Sequence, residues 1–246
     1  MTSHRPRPRP AAAPPGPPAR PPARRRAVAV WAGCVALPLA AAAVLGLLAR
    51  TPAWTAADAR LAAAVHELRA PLLTAVADAL RVAFLPPAVI AVCAAAVLLL
   101  ALLGRYGGAM LTALVVTAGW SANTLYKVAI DRPRPAPERQ LIPEPSPYGY
   151  PSGHVAVTLA LVIAACLLAY GTARLRLVAA TGAVLVAAQA WARVYLGVHH
   201  PTDVVGAVLV VGGVATAVVA GCAPLAARLD RLGRGHAGGG VPPHGS

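Results

Sequence analysis

Six apolar runs constrain this chain more than any other feature. They lie at about residues 27–49, 82–103, 109–126, 152–170, 177–192 and 204–223, with short polar stretches between them. A helix of about 20 apolar residues spans a hydrocarbon core of about 30 Å. The first run holds no charge at all between Arg26 and Arg50. Hydrophobic residues make up 58% of the 246, and charged residues only 12%. Soluble domains carry about a quarter charged residues. The chain therefore reads as all-α and polytopic, a single bundle of six transmembrane helices over residues 27–223.

Two tails flank the bundle. Residues 1–26 are mostly Pro, Ala and Arg, with too few large apolar side chains to offset the entropy of ordering, and read as a disordered cytoplasmic tail. Residues 224–246 read as a basic, Gly-rich cytoplasmic tail. The first apolar run is longer than the core of a cleaved signal peptide and reads as a retained anchor. Between the first two spans, Leu61, Val65, Leu68 and Leu72 alternate at helical spacing with Asp58, Arg60, Glu67 and Arg69. That pattern, over Thr51 to Arg81, predicts amphipathic helical structure at the outer interface, with His66 solvated on it. Cys34, Cys93, Cys166 and Cys222 sit singly in apolar runs and read as small buried hydrophobes. Trp31, Trp54, Trp120 and Trp191 fall near span ends, where indoles anchor at the interface.

The formal charge of +14 invites a nucleic-acid partner. Its distribution argues otherwise. With the N-terminus cytoplasmic, 13 of the 22 basic residues fall on inner pieces, and of the eight acids only Asp230 does. The inner pieces carry +12 and the outer pieces +2, the positive-inside pattern. The basic excess therefore sets orientation in a cell membrane, and the expected partners are membrane lipids rather than nucleic acid.

Three polar clusters interrupt the apolar pattern. They are Lys127 to Pro135 with Arg134-Pro135 at its end, then Pro151-Ser152-Gly153-His154, then Arg193 to Asp203 with His199 between. The proposed topology brings Lys127, His154, Arg193, His199 and Asp203 to one outer face. In order and internal spacing, the clusters resemble the three-part signature of the type 2 phosphatidic acid phosphatase (PAP2) superfamily, K-x6-R-P, P-S-G-H and S-R-x5-H-x3-D. One position departs, Ala192 where the family usually has Ser.

The residue types suit a phosphoester. Phosphoryl transfer spreads negative charge over equatorial oxygens, and fixed cations and N–H donors are the main lever on it. Lys127, Arg134 and Arg193 supply cations. The Ser152 hydroxyl and the N–H groups of Gly153 and His154, at a helix start, add donors. His199 with Asp203 fits a nucleophile whose tautomer is fixed by a carboxylate. His154 fits a general acid that later acts as base. The resemblance implies these same roles, a phosphohistidine intermediate, and no metal or other cofactor. Asp131, Glu138 and Glu144 are scattered through the loop before the second cluster and make no magnesium site.

Family spacing selects Arg134 over Arg132, leaving Arg132 to contact a headgroup or solvate the loop, and selects His199 over His200. Tyr148 and Tyr150 either line a substrate entrance or pack the loop. The resemblance implies a lipid phosphate substrate: polyprenyl (undecaprenyl-type) diphosphate first, then phosphatidylglycerol phosphate or phosphatidate. A catalytically silent lipid-phosphate binder or transporter is the alternative from another class, and the intact His154, His199 and Asp203 argue against it. A vanadate-dependent haloperoxidase shares the anion site, but those relatives are soluble. A sugar phosphatase would need a polar pocket the sequence does not reveal.

Overall fold

The computed structural model describes residues 22–237. Most of the expected tail at 1–26, and the end of the tail at 224–246, lie outside them. The regular structure is helical: α1 (Pro22–Ala49), α2 (Pro52–His66), α3 (Pro71–Ala83), α4 (Pro86–Leu102), α5 (Tyr106–Ile130), α6 (Gly153–Ala169), α7 (Leu175–Tyr195) and α8 (Pro201–Ala237), plus one 3-10 turn at Pro137–Arg139. Proline opens α2, α3, α4 and α8. Its fixed φ suits the first turn, where its missing N–H has no intrahelical partner to lose. Pro86 also ends the run of α3, so α3 and α4 meet at a 54° bend.

Among the described residues, three helices are long and apolar enough to cross a membrane, at Arg26–Ala49, Leu175–Tyr195 and Pro201–Gly233, and the bent pair α3–α4 would make a fourth. α6 is apolar but shorter, at 17 residues. Large apolar side chains such as Leu37, Val44, Leu102, Leu125, Leu177 and Val184 are exposed around the bundle. That is a surface solvated by lipid rather than water. The core is built from small residues. Val115 and Val116 of α5, Val155, Ala156 and Ala160 of α6, and Ala207, Val211 and Ala215 of α8 form one buried cluster. Small side chains let helices approach closely where lipid gives no hydrophobic drive to association.

Several sequence-based expectations are corrected here. The last helix runs on to Ala237, past residue 223 where the sixth span was expected to end, so much of the basic tail is helical. There Asp230 accepts a hydrogen bond from the Gly107 N–H at 2.7 Å, tying α8 to the start of α5. The stretch expected to be helical between the first two spans is so, as two helices, α2 and α3, separated by a turn. His66 is half-buried rather than fully solvated, and its Nε2 donates to the Val194 carbonyl at 2.9 Å. Arg69 donates to the Tyr195 carbonyl from Nε at 3.2 Å and Nη2 at 3.1 Å. Both side chains cap the last carbonyls of α7, which have no intrahelical donor. Trp54 donates its indole N–H to Thr202 at 2.9 Å, and Trp191 lies 4.7 Å from the Tyr195 ring, so these two also join the fold. None of the four cysteines is fully buried, and Cys34 is exposed.

Candidate active site

Helix ends build the site. α5 ends, α6 begins, α7 ends and α8 begins at the same end of the bundle. α5 carries Lys127 in its last turn and stops at Asp131, which adopts a left-handed conformation (φ 48°) that Asp tolerates. The chain then runs extended through Pro133, which bridges to Tyr148. Residues two apart in extended backbone share a face. Arg132 and Arg134 accordingly reach the same pair of side chains, His199 and Asp203, from opposite ends.

The spacing from Arg193 to His199 has a local cause. The Gly197 N–H bonds the Val194 carbonyl at 2.9 Å, and the Val198 N–H bonds the Arg193 carbonyl at 3.2 Å. This is a Schellman turn, and it places Gly197 at φ +75°. A Cβ there would lie 2.1 Å from the Arg139 carbonyl oxygen, so both conformation and space demand glycine. His199 follows directly. Pro201 then opens α8, and Asp203 reaches back to accept the His200 N–H at 2.8 Å, as in a capping box. The third cluster is thus a helix end, a turn and a helix start.

Tyr150 holds the second cluster in place. It is fully buried, and its hydroxyl donates to the Ala42 carbonyl of α1. Its ring lies where a Cβ on Gly206 of α8 would be, 2.3 Å away. Loop packing, rather than a substrate entrance, is its place. Ser152 follows as the N-cap of α6, yet its hydroxyl makes no capping bond and has no partner among the described residues. Its N–H bonds the Asp203 carbonyl at 3.0 Å, joining the second cluster to the third.

The polar side chains converge. Lys127 Nζ donates to the Pro151 carbonyl at 2.7 Å and the Tyr148 carbonyl at 3.3 Å, leaving one of its three donors. Its Cε lies 3.8 Å from where a Cβ on Gly153 would sit, so that glycine keeps the space over the helix start open. Arg134 Nη1 donates to the Val198 carbonyl at 2.8 Å and lies 3.1 Å from His199 Nε2. A guanidinium cannot accept, so Nε2 is the lone-pair nitrogen and the proton sits on Nδ1. Nδ1 faces Asp203 Oδ2 at 3.3 Å. The two contacts agree on one tautomer. Burial first, and then the Arg134, Lys127 and Arg193 cations, hold His199 well below the usual histidine range, so the ring is neutral. His200 is also buried, but its Nδ1 has no partner among the described residues.

Arg193 is fully buried and donates from Nη1 to Glu144 Oε1 at 2.9 Å. Its Nε and Nη2 have no partner, and neither has His154 Nε2, among the described residues. His154 Nδ1 lies 3.5 Å from Arg193 Nη1, which makes Nδ1 the acceptor and Nε2 the N–H. Buried polar atoms without partners are uncommon and point to function. Lys127, Arg134, Ser152, Gly153, His154, Arg193, His199 and Asp203, all assigned from sequence, are thus brought together at one end of the bundle, with Lys127, Arg134, Arg193 and His154 all close enough to act on the His199 ring. Ala192 packs in an apolar cluster with Ala77, Tyr195, Leu196 and Val198.

Sequence reasoning missed three participants. Glu144 is not scattered loop charge, since it orients Arg193. Arg132 does not solvate the loop: it is 1% exposed, with Nη1 on Asp203 Oδ1 and Nη2 on Asp58 Oδ2, both at 2.7 Å. Asp58 comes from α2. Its one sequence signal was an acid on an otherwise small and apolar helix face.

The chain matches the model of the PAP2 superfamily over residues 102–226, half of its length. It belongs to this superfamily. Membership makes it a phosphatase of the PAP2 type. No curated protein matches the chain. Its fold resembles a crystal structure described as that of the first transmembrane PAP2 type phosphatidylglycerolphosphate phosphatase from Bacillus subtilis. The TM-score is 0.65 at 22% identity, and the match covers 78% of this chain and 97% of that one.

Proposed function

We propose that this PAP2 protein hydrolyses a lipid phosphate or diphosphate at the outer face of the cell membrane, without a metal and through a phosphohistidine. The observation that carries the lipid reading is a pair of cavities that share Trp120 as a wall. A groove of about 430 Å³ between α4 and α5 is lined by Val89, Cys93, Val97, Val116 and Trp120. Trp120 also lines a second cavity of about 120 Å³ that reaches Lys127, Gly153 and His154. An apolar chain in the groove would deliver its phosphate to the cations. In this reading α1, α4, α5, α6, α7 and α8 cross the bilayer, and α2 and α3 lie at its surface.

In the first step His199 Nε2 attacks phosphorus, the bond to the leaving oxygen breaks, and that oxygen takes a proton from Nε2 of His154, which the charge of the bound phosphate stabilises as the imidazolium and which is left a neutral ring. Lys127, Arg134, Arg193, Ser152 and the start of α6 hold the equatorial oxygens. In the second step water attacks phosphorus, His154 takes its proton, and the N–P bond breaks to free inorganic phosphate. Each carboxylate at the site is already engaged by an arginine, Asp58 and Asp203 by Arg132 and Glu144 by Arg193. This supports the metal-free reading.

Purified protein is expected to release phosphate in EDTA from a side-by-side panel of polyprenyl diphosphate, phosphatidylglycerol phosphate and phosphatidate, with the diphosphate fastest. Strict dependence on magnesium overturns the mechanism, and a soluble sugar phosphate as best substrate overturns the lipid reading. The neutral His199 sets a second expectation. Its lowered pKa keeps the lone pair available as pH falls, and activity is lost only when pH drops through that lowered value. After correction for the substrate's own ionisation, kcat/KM does not decline as pH falls through 6.5, the ordinary histidine value. A decline centred at or above that pH would show that the free site does not hold His199 neutral.

A further inference from the structure

We infer that Asp58 and Arg132 are positioning residues for Asp203, and that α2 is through them a working part of the active site. The inference rests on His199 and Asp203 acting as proposed above. Asp58 lies outside the 102–226 stretch that carries the family match.

One guanidinium joins the two carboxylates. Arg132 Nη1 holds Asp203 Oδ1 and Nη2 holds Asp58 Oδ2, each at 2.7 Å. Asp58 Oδ1 accepts from the Thr202 hydroxyl at 2.8 Å and from the Thr202 N–H at 3.2 Å. Asp58, Arg132 and Asp203 are each no more than 3% exposed. Desolvating three charges is costly, and packed apolar residues would hold α2 in place as well or better. An ionic arrangement is worth keeping here for what it does to geometry.

That geometry concerns one oxygen. With Oδ1 gripped by a guanidinium that is itself fixed at its far end, the Asp203 carboxylate cannot rotate. Oδ2 is therefore left facing His199 Nδ1 and the His200 N–H. Without Asp58, Arg132 would be anchored at one end only. Without Arg132, Asp203 Oδ1 would have lost its only side-chain donor, and Asp58 would face it as a like charge. Either change frees the carboxylate that sets the His199 ring. The anion pocket of Lys127, Arg134, Ser152 and Arg193 would be untouched.

The test compares Asp58→Asn, Arg132→Gln, the double variant and Trp54→Phe with wild type and His199→Ala, using one lipid phosphate and inorganic phosphate as competitive inhibitor. Asp58→Asn and Arg132→Gln are expected to lower kcat about 10²-fold, the scale of a misplaced reacting group. KM and the phosphate inhibition constant should stay within about threefold of wild type, a margin typical of unperturbed sites. The double variant should be no worse than Arg132→Gln alone, because Asp58 acts through Arg132. Trp54→Phe removes the indole bond to Thr202 and loosens α2 without touching the carboxylates, so its kcat should hold. If Arg132→Gln does not fold, Arg132→Lys, whose ammonium cannot hold both carboxylates in a fork, takes its place.

Unchanged kcat in Asp58→Asn and the Arg132 variant overturns the inference. So does a rise in the phosphate inhibition constant that matches the loss of kcat, or a Trp54→Phe loss of equal size, since both mark a structural clasp. An active His199→Ala would instead overturn the reading on which the inference rests.

Discussion

His199→Ala abolishes phosphate release. The loss in kcat is expected to reach about 10⁴-fold or more, because removing a nucleophile costs a hydrolase several orders of magnitude even with the rest of the site intact. Binding should survive. Lys127, Ser152 and Arg193 take their positions from α5, α6 and α7, and Arg134 keeps its bonds to the Ser146 and Val198 carbonyls when the His199 ring is removed. KM should therefore move little. The decisive readout is the covalent adduct. Wild type mixed with labelled substrate and quenched in base should carry acid-labile phosphate, and His199→Ala should carry none. Normal turnover in the variant, or an adduct that persists, would place the nucleophile elsewhere. His200 is the near alternative by sequence. Its ring lacks the carboxylate contact that His199 has, and its N–H, not its ring, reaches Asp203.

Much of this site was legible because its spacings are short-range geometry. One helical turn, a left-handed glycine and a proline-opened helix turn R-x5-H-x3-D into a fixed arrangement, and Gly197 and Pro201 stand in the sequence to show it. The apolar runs likewise marked helices, though not their ends. The α8 extension to Ala237 carries charges that a hydropathy reading assigns to a tail, and it is held by Asp230 on Gly107. What sequence could not show is which distant charges pair. Arg132 and Arg134 sit in identical Arg-Pro steps. Only the fold sends one to a carboxylate and the other to an imidazole nitrogen. Asp58 is 74 residues from Arg132, and Glu144 is 49 from Arg193. Contacts at such separations leave no periodic trace. His66 and Arg69 were misread for the same reason, since the carbonyls they cap belong to α7.

His154→Ala should show a loss that depends on the leaving group. Arg193 occupies the Nδ1 side of His154, which leaves Nε2 as the nitrogen free to serve the leaving group, buried and without a partner among the described residues. A lipid alkoxide is a poor leaving group and needs a proton from the Nε2 of protonated His154 as its bond to phosphorus breaks. Its hydrolysis should fall about 10²- to 10⁴-fold, the usual contribution of a positioned acid. An aryl phosphate such as p-nitrophenyl phosphate releases a stable phenolate and needs no acid in the first step. With that substrate the variant should still transfer phosphate to His199. The second step then lacks its base, so the phosphohistidine should accumulate, seen as a burst of phenolate followed by slow turnover. The same groups that hold the equatorial oxygens would stabilise this stalled adduct. An equal loss with both substrates and no burst would mean that His154 binds the phosphoryl group rather than moving its protons. Arg193, 3.5 Å from its Nδ1, would then be its partner in anion binding alone.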